Sequence, residues 1–394
     1  MRGIARKNLD YGWGDLWAAS RPWAQLAPEA VPPWAGQLPA RPWLLVNSGR
    51  AAMLLALQAL ALPPGSRVGV PLYCCPTVFE AITLAGCQPE FIDIDLASYG
   101  VSPTTVKTKA KDLAALIVVH MFGYPVDLRT MGEITGDRPL IEDCAHAYGS
   151  RYQGRPVGSE GTAAIYSFGP AKWPACGGGG ALLGEVVPVA ERLLGQRLVP
   201  QSWGRRLAQG LRRWRRSVRN RLPSEVRRRL QQEQQRGEPP TAWHVPGQHP
   251  ERSVPRAMEM GERLVLERKA RLFPEQLQRQ QRYARLASEI LADADVALPG
   301  YTEEAEPNFY VLPLRFASSE KLLQVYDALA AEGVETHRYQ RGISRIAARY
   351  YGYRGDCPNS EEAEETVLWV PLHYGLRETD VERIAQTVRK ALRS

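Results

Sequence analysis

The chain has 394 residues, 50 basic and 42 acidic side chains, a formal net charge of +8, and 44% hydrophobic residues. That composition excludes a disordered chain, and the length predicts more than one packed unit. The charge is uneven: residues 205–229 hold eleven arginines and one acid, a local +10 that leaves −2 for everything else, so any polyanion argument belongs to that segment.

Residues 1–43 carry Trp13, Trp17, Trp23, Trp34 and Trp43 among many prolines, which suits an arm laid over the main body or a partner. From Ser48 the pattern becomes regular. Residues 51–62 read as a helix stopped by Pro63-Pro64-Gly65, 67–71 as a strand, 77–85 as a helix and 90–95 as a strand. The apolar run at 114–120 marks a strand buried on both faces of a parallel sheet, and 139–143, 163–168 and 180–183 continue the series. Strands alternating with helices predict an α/β fold: a three-layer α/β/α large domain with a mostly parallel central sheet over residues 44–200. An arginine-rich amphipathic insertion and linker follows over 201–256. Residues 257–394 read as a long helix from 257 to about 292, broken near Pro274, and a smaller C-terminal α+β domain. That domain contains a strand at 310–316 and helices at 319–332 and 379–392.

No apolar run approaches the roughly 18–20 residues that a membrane-spanning helix needs. The basic start, Met1 to Lys7, has no apolar signal core, which predicts a cytoplasmic protein. Six cysteines (Cys74, Cys75, Cys87, Cys144, Cys176, Cys357) form no C-x-x-C pair and have no histidines at metal spacing, so neither a metal nor a disulfide framework is expected.

Lys172 is the best clue to chemistry. It sits in Ser167-Phe168-Gly169-Pro170-Ala171-Lys172-Trp173, after an apolar strand and before four glycines, Gly177 to Gly180. A partly desolvated amine loses its proton more easily and becomes a nucleophile. Upstream, the strand Pro139-Leu140-Ile141 runs into Glu142, Asp143, Cys144, Ala145 and His146. In open α/β sheets, ligands sit at such carboxyl ends. A lysine able to form an imine and an acid able to keep a pyridinium protonated are the two groups that pyridoxal phosphate (PLP) chemistry requires.

Six motifs in order carry a resemblance: SGRAAM (48–53), GSRVGVP (65–71), EFIDID (90–95), VVHMFGYPVD (118–127), IEDCAHAYGS (141–150) and AIYSFGPAKWPACGGGGALL (164–183). Together the stretch resembles the DegT-type sugar-nucleotide aminotransferases, PLP enzymes of fold type I, strongly over 46–184 and weakly beyond. The resemblance implies that Lys172 is the Schiff-base lysine and proton shuttle, and that Asp143 pairs with the pyridinium nitrogen. It implies that His146, where many relatives have glutamine, lies near the cofactor's phenolic oxygen, and that Ser167 meets its phosphate. Ser48 and Gly49 open a helix whose free amides suit that anion. Arg50 stands where most relatives have threonine, offering a guanidinium for a hydroxyl.

Cys74-Cys75 fall where relatives place a stacking aromatic, so Tyr73 is the substitute expected in the pocket, and His337 is the candidate from the C-terminal part. The cross-subunit segment of the family has its nearest match at 254–258. His120, ending a buried strand, is expected to be structural. Glycines 177–180 are expected to let the backbone pass close to the cofactor or a partner subunit. The resemblance further implies a homodimer, glutamate as amino donor, and a keto group on a nucleotide-linked sugar or related cell-surface glycan precursor as acceptor.

Trp203, Leu207, Leu211, Trp214, Val218 and Leu222 are spaced by 4, 4, 3, 4 and 4, one side of a basic amphipathic helix. The stripe either packs on the protein's own body or lies on a membrane surface, placing the protein peripherally at the inner membrane. Nucleic acid or a diphosphate substrate is the least favoured partner. A different class of function is a non-transaminating regulatory or scaffold protein recruited to membrane or nucleic acid through this helix; intact Lys172 and Asp143 argue for the enzyme.

Overall fold

The computed structural model describes residues 4–5, 11–20, 37–195, 203–221 and 254–393. In chain order, α1 (Trp13–Ser20), β1 (Trp43–Val46), α2 (Gly49–Ala59), β2 (Arg67–Pro71), α3 (Pro76–Leu84), β3 (Gln88–Ile92), α4 (Pro103–Lys109), β4 (Ala115–Val119), α5 (Leu128–Thr135) and β5 (Leu140–Asp143) come first. The short strands β6 (Arg151–Tyr152) and β7 (Arg155–Pro156), then β8 (Ala163–Ser167), β9 (Gly180–Gly184) and α6 (Val187–Leu194), complete the first unit. Seven strands make one sheet in the order β1-β9-β8-β5-β4-β2-β3. Strands β2, β3, β4, β5 and β8 pair in parallel, while β9 is antiparallel to both neighbours. Every residue of β4 is buried, as its unbroken apolar run requires of a central strand covered by helices on both faces.

After α7 (Trp203–Arg221), the helix α8 (Met260–Leu291) runs unbroken through Pro274. The expected break is therefore absent. Phe273 is 1% exposed and Ala270 fully buried, so tertiary packing around the first half of α8 outweighs the one backbone hydrogen bond that proline removes. Next come β10 (Ala305–Glu306), β11 (Leu312–Arg315), α9 (Ser319–Ala331), α10 (Ile343–Tyr351), α11 (Pro358–Thr366), β12 (Val367–Val370) and α12 (Glu378–Arg393). Strands β11 and β12 form an antiparallel pair, and β10 crosses back to pair with β6. One buried apolar cluster runs from the seven-stranded sheet through α8 into these C-terminal elements.

The amphipathic α7 lies on α1. Leu207, Leu211 and Trp214 are partly buried against the core, the Trp214 ring is 4.4 Å from that of Trp13, and Arg213 bonds Glu262 at 2.5 Å. Over these side chains the predicted stripe meets the protein's own body rather than a membrane. Leu222 and the linker at 222–253 lie outside the described residues.

Along β5 the side chains alternate between faces, which separates two adjacent carboxylates. Glu142, 1% exposed, accepts from the amides of Gly158 (2.6 Å), Glu160 (3.0 Å) and Gly161 (2.6 Å) and bonds His120 Nε2 at 3.1 Å. His120 Nδ1 in turn accepts from the Val126 amide at 3.0 Å, so Nε2 carries the proton and donates. Cys144 offers its sulfur near these two groups, but the imidazole and carboxylate are already committed to backbone and to each other, and the trio is a structural hub. Burial opposes charge on Glu142, yet the His120 bond and charge and the amides prevail and hold its carboxyl below the usual range.

Replacing Glu142 with Ala strands three amides and is expected to lower the free energy of unfolding by about 3 kcal/mol at neutral pH. Because the folded pKa is depressed, that deficit should shrink as pH falls through the carboxylate range. Urea titrations of both proteins across pH would show it; an equal deficit at all pH values would contradict the assignment.

Candidate active site

A cleft with about 590 Å³ of empty space, counting its open mouth, lies at the carboxyl ends of the parallel strands. Asp143 closes β5, Ser167 closes β8, and Gly49 and Arg50 begin α2; all four line the cleft with His146, Lys172, Cys75 and Tyr339. Ser48 is the N-cap of α2: its hydroxyl accepts from the Ala51 amide at 3.1 Å, so it shapes the rim rather than lining the cleft. Gly49 is required by a close approach, since a Cβ there would stand 2.8 Å from Ser167 Cβ. The helix N-terminus is thereby brought against the end of β8, where its positive dipole end and first amides favour an anion. Arg50 adds a cation whose guanidinium is steadied by Glu80 at 3.2 Å.

Lys172 is delivered by a loop pinned on both sides. The Ala171 carbonyl accepts from the Tyr310 hydroxyl, and Trp173 next door is buried against Phe273, with its indole donating to Gln276 at 3.2 Å. The Lys172 Nζ lies 5.9 Å from the centre of the Tyr310 ring. Burial pulls the amine below the ordinary lysine range, opposed by charge at Cys75 and Asp143. Asp143 shows the converse. Burial pushes its carboxyl up, against the Ala145 amide (2.9 Å), the Lys172 charge and His120. Both groups thus pay for desolvation in the same cleft, and each is the other's compensating charge.

His146 stacks on Tyr310 with ring centres 4.5 Å apart, and its Nδ1 accepts from the Phe122 amide at 3.4 Å. In the neutral ring the proton then sits on Nε2. The His146 loop is tied to the C-terminal part by Asn308, which is fully buried and donates to the carbonyls of His146 (2.9 Å) and Tyr148 (3.0 Å). Gly123, at φ +88°, makes room for it, because a Cβ there would overlap Asn308 Oδ1 at 1.9 Å.

Two expected pocket residues are displaced. Tyr73 is fully buried beneath the cleft, its hydroxyl donating to the Tyr339 carbonyl at 3.2 Å. Two residues on, Cys75 lines the cleft. His337 pairs through its backbone with Trp369 and packs on that ring, while Tyr339, two residues further, reaches the cleft. Cys75 and Tyr339, 264 positions apart, thus line the same cleft, a meeting that no local pattern announces. Glycines 177–180 let neighbouring segments approach closely: a Cβ on Gly178 would meet the Glu262 side chain, and one on Gly180 the Ser48 backbone at 2.5 Å. Residues 254–258 run beside β1, where the Met258 amide donates to Leu45 and the Arg256 amide to Asn47 Oδ1.

Similarity to known proteins follows this geometry. The chain is 34% identical over 150 residues to L-glutamine:scyllo-inosose aminotransferase of Streptomyces griseus, covering 37% of this chain and 35% of that protein. It is 34% identical over 152 residues to GDP-perosamine synthase of Escherichia coli O157:H7, covering 38% and 42% respectively, so the matches span well under half the length of these relatives. The crystal structure of the aminotransferase TlmJ from Streptoalloteichus hindustanus superposes with a TM-score of 0.72 at 22% identity over 99% of this chain and 92% of that one, a likeness of fold. The DegT/DnrJ/EryC1/StrS aminotransferase family model matches residues 40–196 and 264–389, which is most of the chain, and the chain belongs to that family.

Proposed function

We propose that the protein is a PLP-dependent aminotransferase that moves an amino group, with glutamate as donor, to a keto group of a nucleotide-linked sugar or a related glycan precursor. The observation that carries this reading is the placing of a desolvated amine, Lys172, and a buried carboxylate, Asp143, in one cleft whose far wall is the N-terminus of α2. The donor set fits the cofactor at each end. Ser167, Arg50 and the first amides of α2 would hold its phosphate, Asp143 its protonated ring nitrogen, His146 Nε2–H its phenolic oxygen, and Tyr339 would cover the ring.

Bound PLP supplies an aldehyde for attachment and an electron-withdrawing ring. The chain supplies the rest. Lys172, its amine kept easily deprotonated by burial, anchors the cofactor and then takes and returns the proton at the substrate carbon. Asp143 is unusually costly to ionise alone, so a cationic partner relieves it, and that preference selects a protonated ring nitrogen. Tyr339 and the buried floor of Tyr73 and Phe122 exclude water on one side.

The nucleotide-linked sugar in the name of GDP-perosamine synthase supports the acceptor class, while the name of the scyllo-inosose aminotransferase gives L-glutamine as that enzyme's donor. We further propose a homodimer working in the cytoplasm. The six cysteines are all unpaired, and among the described residues no helix is long and apolar enough to cross a membrane.

Borohydride treatment of the PLP-loaded protein should fix the cofactor on the peptide containing Lys172, and Lys172→Ala should lose both that adduct and the visible absorption band. Capture at a different lysine would end the proposal.

In the cofactor-free protein, competitive acylation should give Lys172 a titration midpoint below that of ordinary lysines. Asp143→Asn removes a charge that favours the ammonium form, so the midpoint should fall further; a rise would contradict the geometry.

A further inference from the structure

Helix α1 presents two tryptophans to solvent: Trp13 is 66% and Trp17 69% exposed. Four residues apart, they share one face of the helix. The opposite face is firmly held. Asp15, Leu16, Ala19 and Ser20 are buried, Asp15 pairs with Arg268 at 2.8 Å and Lys269 at 3.7 Å, and Gly210 of α7 packs so closely that a Cβ would meet Leu16 at 2.7 Å. The indoles are therefore displayed by an anchored helix. Beside them α7 carries eight arginines and no acid in its nineteen residues, with Arg212 and Arg215 exposed. Arg213 is engaged by Glu262 and Glu259. Both helices fall outside the residues matched by the family model.

We propose that the Trp13–Trp17 face of α1, together with the exposed Arg212 and Arg215 of the neighbouring α7, docks the protein on the headgroup region of an anionic lipid bilayer. An indole has an apolar body and one N–H, and headgroup depth satisfies both parts at once. Guanidinium groups meet lipid phosphates in bidentate fashion, and the positive charge beside the indoles complements an anionic leaflet. The described apolar residues of α7, Leu207, Leu211 and Trp214, pack against the core and α1, so α7 supplies charge through Arg212 and Arg215 and α1 supplies the insertion. This proposal stands apart from the catalytic reading, because none of its residues lines the cleft.

The test is flotation of the full chain with vesicles of phosphatidylglycerol and phosphatidylcholine, against phosphatidylcholine alone. The protein should float with the anionic vesicles only and be released at about 1 M salt, where the Debye length is roughly 3 Å. W13S/W17S should weaken partitioning by about tenfold with its oligomeric state unchanged, and W17S alone, which keeps the Trp13–Trp214 contact, should weaken it without moving the unfolding midpoint. R212E/R215E, altering exposed charges only, should weaken it independently. Undiminished flotation of both variants, or no binding of the full chain at low salt, overturns the proposal. So does a W13S/W17S variant whose oligomer dissociates, which would assign the face to a second copy, or retention of the full chain by duplex DNA without vesicle binding.

Discussion

The alternation of two neighbouring carboxylates at the end of one strand organises the site. Glu142 and Asp143 differ by one position, and the pleat sends them to opposite faces of the sheet. Glu142 is saturated by three amides and His120, so it locks the loop at 158–161 and the end of β4 to β5. Among the described residues the Asp143 carboxylate accepts one backbone amide, that of Ala145 at 2.9 Å, and it lines the cleft. One acid is spent on holding the strand end still so that the other is available at a fixed place. Without the first, the second would sit on a mobile strand end, and the compensation between Asp143 and Lys172 would lose its geometry.

The same economy governs Lys172. A lysine on a free loop would turn to water and recover its ordinary basicity. Here Tyr310 holds the preceding carbonyl and Trp173 is sunk against α8, so the amine remains desolvated. Those two holds come from beyond residue 259, as do Asn308 and Tyr339. The large sheet provides the acid and the helix start that line the cleft, and the C-terminal elements hold the loop that buries the amine.

Sequence pattern conveyed the first half of that arrangement well and the second half poorly. Lys172, Asp143, Ser167 and Gly49 each sit at a strand end or helix start, and such positions follow from hydrophobic period and capping chemistry. Tyr73 and His337 were each two residues from the side chain that reaches the cleft. Turns between strand and helix bring the chain to the right neighbourhood, but the residue facing the ligand depends on which ring fills the floor, and Tyr73 fills it together with Phe122 and Tyr339. Asn308 gave no local signal at all, since its bonds are to carbonyls some 160 positions away. Pro274 illustrates the opposite error, where a strong local rule yields to packing by Phe273 and Ala270.

Amphipathic period identifies that a helix has an apolar side, yet it says nothing about what that side meets. In α7 the spacing of Leu207, Leu211 and Trp214 serves equally for lipid or for a protein core, and the α1 helix settles it by occupying that side. Covering one stripe creates another: α1 is only eight residues long, and with Leu16 and Ala19 turned inward its remaining large side chains are Trp13 and Trp17. An exposed indole pair is an unfavourable way to finish a water-facing helix when polar residues would serve. Arg212 and Arg215 on the neighbouring α7 are exposed, so apolar rings and positive charge meet on adjoining helices, and both suit one kind of environment rather than two.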